Sequence, residues 1–204
     1  MSQSRRVFVT VMVALAIVGL SACAKAPVDA INQAQSALQA AGDAEAATYA
    51  PEAWEAAQQA VNAAQAEVEA QSSKFALTRS YKDASQMLAT AQEAAVAAQE
   101  SAVAGKEAMA VAVADSIVSI EANLANADSL LAALATCRKR PKGFAGDLEI
   151  MRGNVDGLRS QLVDVQATAD DGDYFEAGAM ADGLLEGLDA VVTDLENAKA
   201  KLGC

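Results

Sequence analysis

The chain has 204 residues, 53% of them hydrophobic and 4% aromatic, with 15 basic and 27 acidic side chains and no histidine. A formal charge of −12 argues against nucleic acid and against a broad footprint on an anionic membrane. The missing histidine removes the commonest general base and metal ligand, and alanine at 51 positions with only three prolines describes long helices rather than disorder.

The first element in chain order reads as an export signal. Arg5 and Arg6 form a positive n-region, and Val7 to Leu20 is an apolar run of 14 residues. As a helix it spans roughly 21 Å against a hydrocarbon core of roughly 30 Å, so a retained membrane helix is the weaker reading. Leu20-Ser21-Ala22-Cys23 resembles a lipobox. That resemblance implies diacylglyceryl transfer to the Cys23 sulfur, cleavage before it and acylation of the new amine. Ala24 in place of an aspartate implies the outer rather than the inner membrane. Several acyl chains anchor stably where one would be marginal. Ser4-Arg5-Arg6-Val7-Phe8-Val9 also resembles a twin-arginine export motif; the strongly apolar run and very short n-region favour an ordinary Sec signal that holds two arginines.

Residues 1–22 are therefore assigned to a signal peptide and 23–27 to a lipidated linker. The mature chain of 182 residues keeps 13 basic and 27 acidic side chains, a net charge of −14. Only Ala24, Lys25, Ala26 and Pro27 separate Cys23 from the first predicted helix.

From there apolar residues recur at alternating spacings of three and four, the signature of helices with one buried face. Residues 54–75 carry Trp54, Ala57, Val61, Ala64, Val68, Gln71 and Phe75. Residues 148–169 carry Leu148, Met151, Val155, Leu158, Leu162, Val165 and Ala169, at a constant offset of 94. Tyr81, Ala84, Leu88, Ala91, Ala95, Ala98 and Ala102 correspond to Tyr174, Ala177, Ala181, Leu184, Leu188, Val191 and Leu195 at an offset of 93. Ile31, Ala34, Leu38 and Ala41 correspond to Leu124, Ala127, Leu131 and Leu134 at the same offset of 93. Coiled-coil periodicity alone explains the spacing but not three helices in matching order, so the chain reads as an internal duplication.

The turns agree with it. Ser80-Tyr81-Lys82-Asp83 and Asp173-Tyr174-Phe175-Glu176 both resemble capping boxes. Pro51 can open a helix as its first residue, and Pro141-Lys142-Gly143 breaks the chain before another. Between Ser80 and Thr136 the only candidate stop is Gly105, and a lone glycine costs about 1 kcal/mol. The seam steps 11 residues there, from Ala102 to Val113. An unbroken helix would close the first repeat and open the second. The expected fold is all-α: an elongated antiparallel helical bundle of two tandem three-helix, spectrin-like repeats, 28–112 and 113–204, sharing a long central helix. Alanine stands at 91, 95 and 102 where the second repeat has leucine, so the second repeat should be the more stable half.

Residues 28–108 resemble a helical domain of unknown function in alanine-rich bacterial lipoproteins, on Tyr49-Ala50-Pro51-Glu52, the helically spaced alanines and Tyr81-Lys82-Asp83-Ala84. In that family the domain can precede an OmpA-like peptidoglycan-binding domain, which these residues do not contain. The resemblance implies a role in the cell envelope and carries over no catalytic residue.

Few residues point to chemistry. Cys137 and Cys204 close the first and third helices of the second repeat, which run parallel and end at the same place; a disulfide is expected, against two free thiols or bonds to a partner. Arg138, Lys139, Arg140 and Lys142 form the one dense basic cluster. They read either as a contact for lipid phosphate or peptidoglycan carboxylates, or as cations complementing a helix C-terminus. Asp170-Asp171-Gly172-Asp173 with Glu176 lacks the spacing of an EF-hand and reads as a helix stop and cap. Trp54 and the tyrosines at 49, 81 and 174 fall on seams or turns and read as bundle plugs.

No phosphate loop, nucleophile–base pair or metal-spaced cysteine set appears, so no catalytic, cofactor or metal residue is expected. The expected function is a non-enzymatic, lipid-anchored periplasmic spacer or protein-binding module at the outer membrane. Its expected partners are an envelope protein or peptidoglycan. The alternative is an accessory subunit of an envelope transport or surface-polymer assembly complex. Alanine seams such as Ala91-Ala95-Ala98-Ala102 carry the same heptad pattern whether they are cores or self-association faces.

Overall fold

A computed structural model describes residues 25–204, so the signal segment and the lipobox cysteine, Cys23, lie outside the described residues. The described chain is all-helical, without a strand. Six helices follow one another: α1 (Val28–Asp43), α2 (Ala46–Tyr49), α3 (Pro51–Ser72), α4 (Lys82–Thr136), α5 (Phe144–Asp170) and α6 (Tyr174–Leu202). They form two compact units, the first ending at Val103 and the second running from Ala104 to Cys204. α4 is helical through Gly105 and contributes to both.

In the first unit, α1 starts after Pro27 with Asp29 in its first turn, where a carboxylate suits the positive helix end. The chain reverses through Glu45, whose φ of 59° is the one left-handed non-glycine among the described residues. The single turn of α2 follows, a feature the apolar spacing did not reveal. Pro51 then opens α3 as its first residue.

One buried cluster joins Ala34, Val61, Ala64, Val68, Tyr81, Ala84, Leu88 and Ala91. A second joins Ala41, Ala46, Ala57, Ala95, Ala98 and Ala102, with Tyr49 and Trp54 packed against it. Ala91, Ala95, Ala98 and Ala102 of α4 are thus core residues of this unit rather than a free face. α3 ends at Ser72, three residues before Phe75, which is 72% exposed and so takes no part in the seam its spacing suggested.

The corner between α3 and α4 is held by polar groups. Arg79 donates from Nε to the Gln71 carbonyl at 3.1 Å and from Nη2 to those of Ser72 at 2.6 Å and Lys74 at 3.0 Å. It thereby satisfies the Ser72 and Lys74 carbonyls and shares that of Gln71 with the Lys74 amide. Gln71, buried at a seam position, donates to Glu67 Oε1 and accepts from the Ser80 amide. Ser80 does not form the expected capping box: its Oγ accepts from the Lys82 amide, not from that of Asp83. The helix starts two residues after Ser80 because Tyr81 is drawn into the core.

The second unit packs the later part of α4 against α5 and α6. Ile120, Leu124, Ala127, Leu131 and Leu134 meet Leu148, Val155, Leu162 and Val165 of α5 and Ala181, Leu184, Leu188 and Leu195 of α6. The α5–α6 turn uses Gly172 at φ 85°, a conformation that suits a residue without Cβ. Asp173 Oδ1 then accepts from the Glu176 amide at 3.1 Å and caps α6 as expected. Arg159 of α5 reaches Asp128 of α4 at 2.8 Å; both side chains are about half exposed, so the pair positions the helices more than it stabilises them.

Candidate functional site

The end of the second unit where α4 stops, α5 starts and α6 stops concentrates the features singled out in the sequence. Cys137, one residue past α4, is buried. Cys204 follows the left-handed Gly203 that terminates α6. The two form a disulfide with Cα atoms 5.8 Å apart across a sequence separation of 67. Parallel running of α4 and α6 brings the C-terminal ends of both helices to this point.

The bond pins the 138–143 connection. Arg138, Lys139, Arg140 and Lys142 are all exposed there. None forms an ion pair among the described residues. They follow α4 rather than sitting in its last turn, which contains no basic residue. The disulfide adds cations that the linear pattern did not join to the cluster: Lys199 and Lys201 lie in the last turn of α6, next to Cys204. Their spacing from Cys204, read together with the expected disulfide, is the signal that could have found them. Six cations therefore gather at one end of a unit whose other surfaces are acidic.

Beside them runs a groove of about 600 Å³ between α5 and α6. Pro141 and Lys201 line it from the basic end, and Phe144, Ile150, Met151 and Leu202 give it an apolar wall. Ile150 is 66% exposed. A smaller cavity of about 450 Å³ lies against the disulfide, lined by Arg138, Lys139 and Cys204. The arrangement can attract an anionic group and bury an apolar one next to it. It offers no nucleophile beside a base.

The remaining candidates are structural where they are described. Asp173 of the acidic 170–176 segment is a helix cap. No group of three or more His, Cys, Asp or Glu side chains among the described residues is placed to hold a metal ion. Tyr81 is buried, and Tyr49, Trp54 and Tyr174 are half-buried. Cys23, the expected lipid attachment residue, lies outside the described residues. No family model matches the chain, and neither a curated protein nor a solved structure matches it.

Proposed function

We propose that this chain is a non-enzymatic, lipid-anchored helical spacer or protein-binding module of the cell envelope. It is held at the outer membrane through Cys23, faces the periplasm and makes contact through its basic end. The lipobox resemblance supports the anchor, and the resemblance of residues 28–108 to alanine-rich bacterial lipoproteins supports the envelope. The observation that carries the reading is the Cys137–Cys204 disulfide at the basic end. Disulfides persist in oxidising compartments such as the periplasm, and this one fixes a cluster of cations on an acidic chain.

We further infer two tandem three-helix repeats sharing α4. The support is a recurrence of buried positions at the sequence offsets. Ala84, Leu88, Ala91, Ala95 and Ala102 are buried, and so are Ala177, Ala181, Leu184, Leu188 and Leu195. Ala34 and Ala41 are matched by Ala127 and Leu134, and Val61, Val68 and Gln71 by Val155, Leu162 and Val165. A duplicated unit explains why the same register is buried twice.

Chemical cross-linking in intact cells, followed by mass spectrometry of what is attached, tests the function. Attachment of an envelope component through Lys139 or Lys142 supports it; recovery of the uncross-linked monomer alone refutes it. A cell-wall spacer also sediments with purified peptidoglycan in a manner that depends on Arg138, Lys139, Arg140 and Lys142. An accessory subunit of a transport or surface-polymer complex instead copurifies with one stoichiometric protein and does not sediment.

A further inference from the structure

The disulfide of the second unit presents its two sulfurs unequally. Cys137 is only 5% exposed, and its amide donates to the Leu134 carbonyl at 3.3 Å, which ties it to the last turn of α4. Cys204 is exposed and is reached through the left-handed Gly203, past the end of α6. The cavity of about 450 Å³ against the bond is lined by both cysteines and by Arg138 and Lys139. No carboxylate side chain lines it, and Lys199 and Lys201 stand in the turn before Cys204. Reactive sulfurs occupy electropositive, partly exposed surroundings of this kind, whereas sulfurs buried in apolar surroundings are inert.

We propose that Cys204 is a thiol–disulfide exchange site, open to the thiol of an anionic partner, with Cys137 as the leaving and resolving sulfur. The partner's thiol loses its proton to water, and the thiolate forms a bond to Cys204 Sγ. The Cys137–Cys204 bond breaks, its electron pair stays on Cys137 Sγ, and that sulfur takes a proton from water. The partner is then held on Cys204 as a mixed disulfide. Cys137 can attack Cys204, expel the partner thiol and restore the bond. Alternatively a second partner thiol attacks the partner's own sulfur, which leaves Cys204 as a free thiol and the partner as its disulfide. Run backwards, the same steps place the same mixed disulfide on Cys204 when the bond forms in the folded chain.

Burial decides which sulfur is attacked. A thiolate reaching Cys137 would have to displace the packed end of α4, while Cys204 is met from solvent. Charge decides which thiol is favoured: Arg138 and Lys139 attract an anionic thiolate and stabilise the charge that develops on Cys137. Opening the bond at Cys204 also releases the 138–143 connection from α6. The proposal stands on the disulfide and does not rest on the lipid anchor. It is tested on the full, oxidised chain, incubated at neutral pH with excess glutathione, an anionic thiol. Samples are quenched in acid, unfolded and alkylated, and mass spectrometry of the peptides counts Cys137 and Cys204 separately, with the peptide of Cys23 counted apart. The expected product carries glutathione on Cys204 and the alkyl group on Cys137, about tenfold or more over the reverse. Circular dichroism of the same samples should show the helices retained.

Cysteamine, a cationic thiol, isolates the part played by charge. In Arg138→Gln/Lys139→Gln the ratio of the glutathione rate to the cysteamine rate should fall about tenfold, and about 0.5 M salt should lower the same ratio in the unaltered chain. Both substituted positions are exposed; if dichroism shows that the variant has lost helicity, the salt dependence of the unaltered chain decides. Glutathione found equally or mainly on Cys137 overturns the proposal. So does a mixed disulfide that forms only in urea that unfolds the second unit, or a rate ratio that neither the variant nor salt changes. Each of these results leaves the anchored-module reading standing, since none depends on what Cys23 carries.

Discussion

The two units bury different side chains at positions that the proposed duplication pairs, and reciprocal substitutions test what that does. Leu188 and Ala95 are both 0% exposed and occupy corresponding positions on α6 and α4. Leu188→Ala removes three buried carbons, about 2 kcal/mol of transfer free energy at ~0.8 kcal/mol each. The cavity left in the leucine-rich cluster raises the total to about 3–4 kcal/mol. Ala95→Leu adds the same carbons at a fully buried position in a cluster whose buried members are all alanines, where small side chains let helices pack closely. Overpacking of that kind costs about 1–3 kcal/mol. Urea denaturation resolves the two. Trp54, the single tryptophan, packs against the alanine cluster and reports the first unit, while far-ultraviolet circular dichroism reports all helices. With a slope of about 1–2 kcal/mol per molar, Leu188→Ala should lower the dichroism midpoint of the second unit by roughly 2 M and leave the Trp54 transition in place. Ala95→Leu should lower the Trp54 midpoint. An Ala95→Leu protein more stable than wild type would show that the alanine core has unfilled space and would refute the close-packing argument. A Leu188→Ala effect under about 1 kcal/mol would refute the cavity argument.

Other consequences are as specific. Reducing the Cys137–Cys204 bond opens a 67-residue separation and should lower the stability of the second unit by about 4 kcal/mol, read as an earlier thermal transition in dichroism with the Trp54 signal unmoved. Arg79→Ala leaves the Ser72 and Lys74 carbonyls without their donor, Gln71 keeping the Lys74 amide, and should destabilise the first unit by about 1–2 kcal/mol, seen in the Trp54 denaturation curve. Asp173→Ala removes the cap of α6 and should cost about 1 kcal/mol in thermal unfolding, with Asp173→Ser recovering most of it.

The seams were legible in the sequence because burial has a period. Val61, Val68, Val155 and Leu188 are recognisable from apolar spacing alone, and each is buried. Pro51 and Asp173 mark their helix starts through chemistry that acts within one turn. The polar corner was not legible: Gln71 holds a seam position but is buried through hydrogen bonds, and the reach of Arg79 to α3 depends on a turn that spacing does not describe. The same holds for α2, a single turn created by the left-handed Glu45. Phe75 misleads because the period continues beyond the helix that obeys it. Gly105 left the continuity of α4 open. The helix passes through it because a cost of about 1 kcal/mol is small beside the burial of Ala102 and Val113 on either side. At the basic end the four clustered cations and both cysteines were visible, whereas Lys199, Lys201 and the groove around Ile150 emerge only once α5 and α6 are side by side.

The anchored-module account rests most directly on what happens at Cys23. Intact-mass measurement of the chain recovered from cells fed labelled palmitate, beside a Cys23→Ser variant, examines it in one step. The account predicts a mature chain that begins at Cys23, carries diacylglyceryl and amide-linked acyl groups, and loses label and cleavage together in the variant. An unlabelled chain, or one that retains residues 1–22 without acylation, would contradict it.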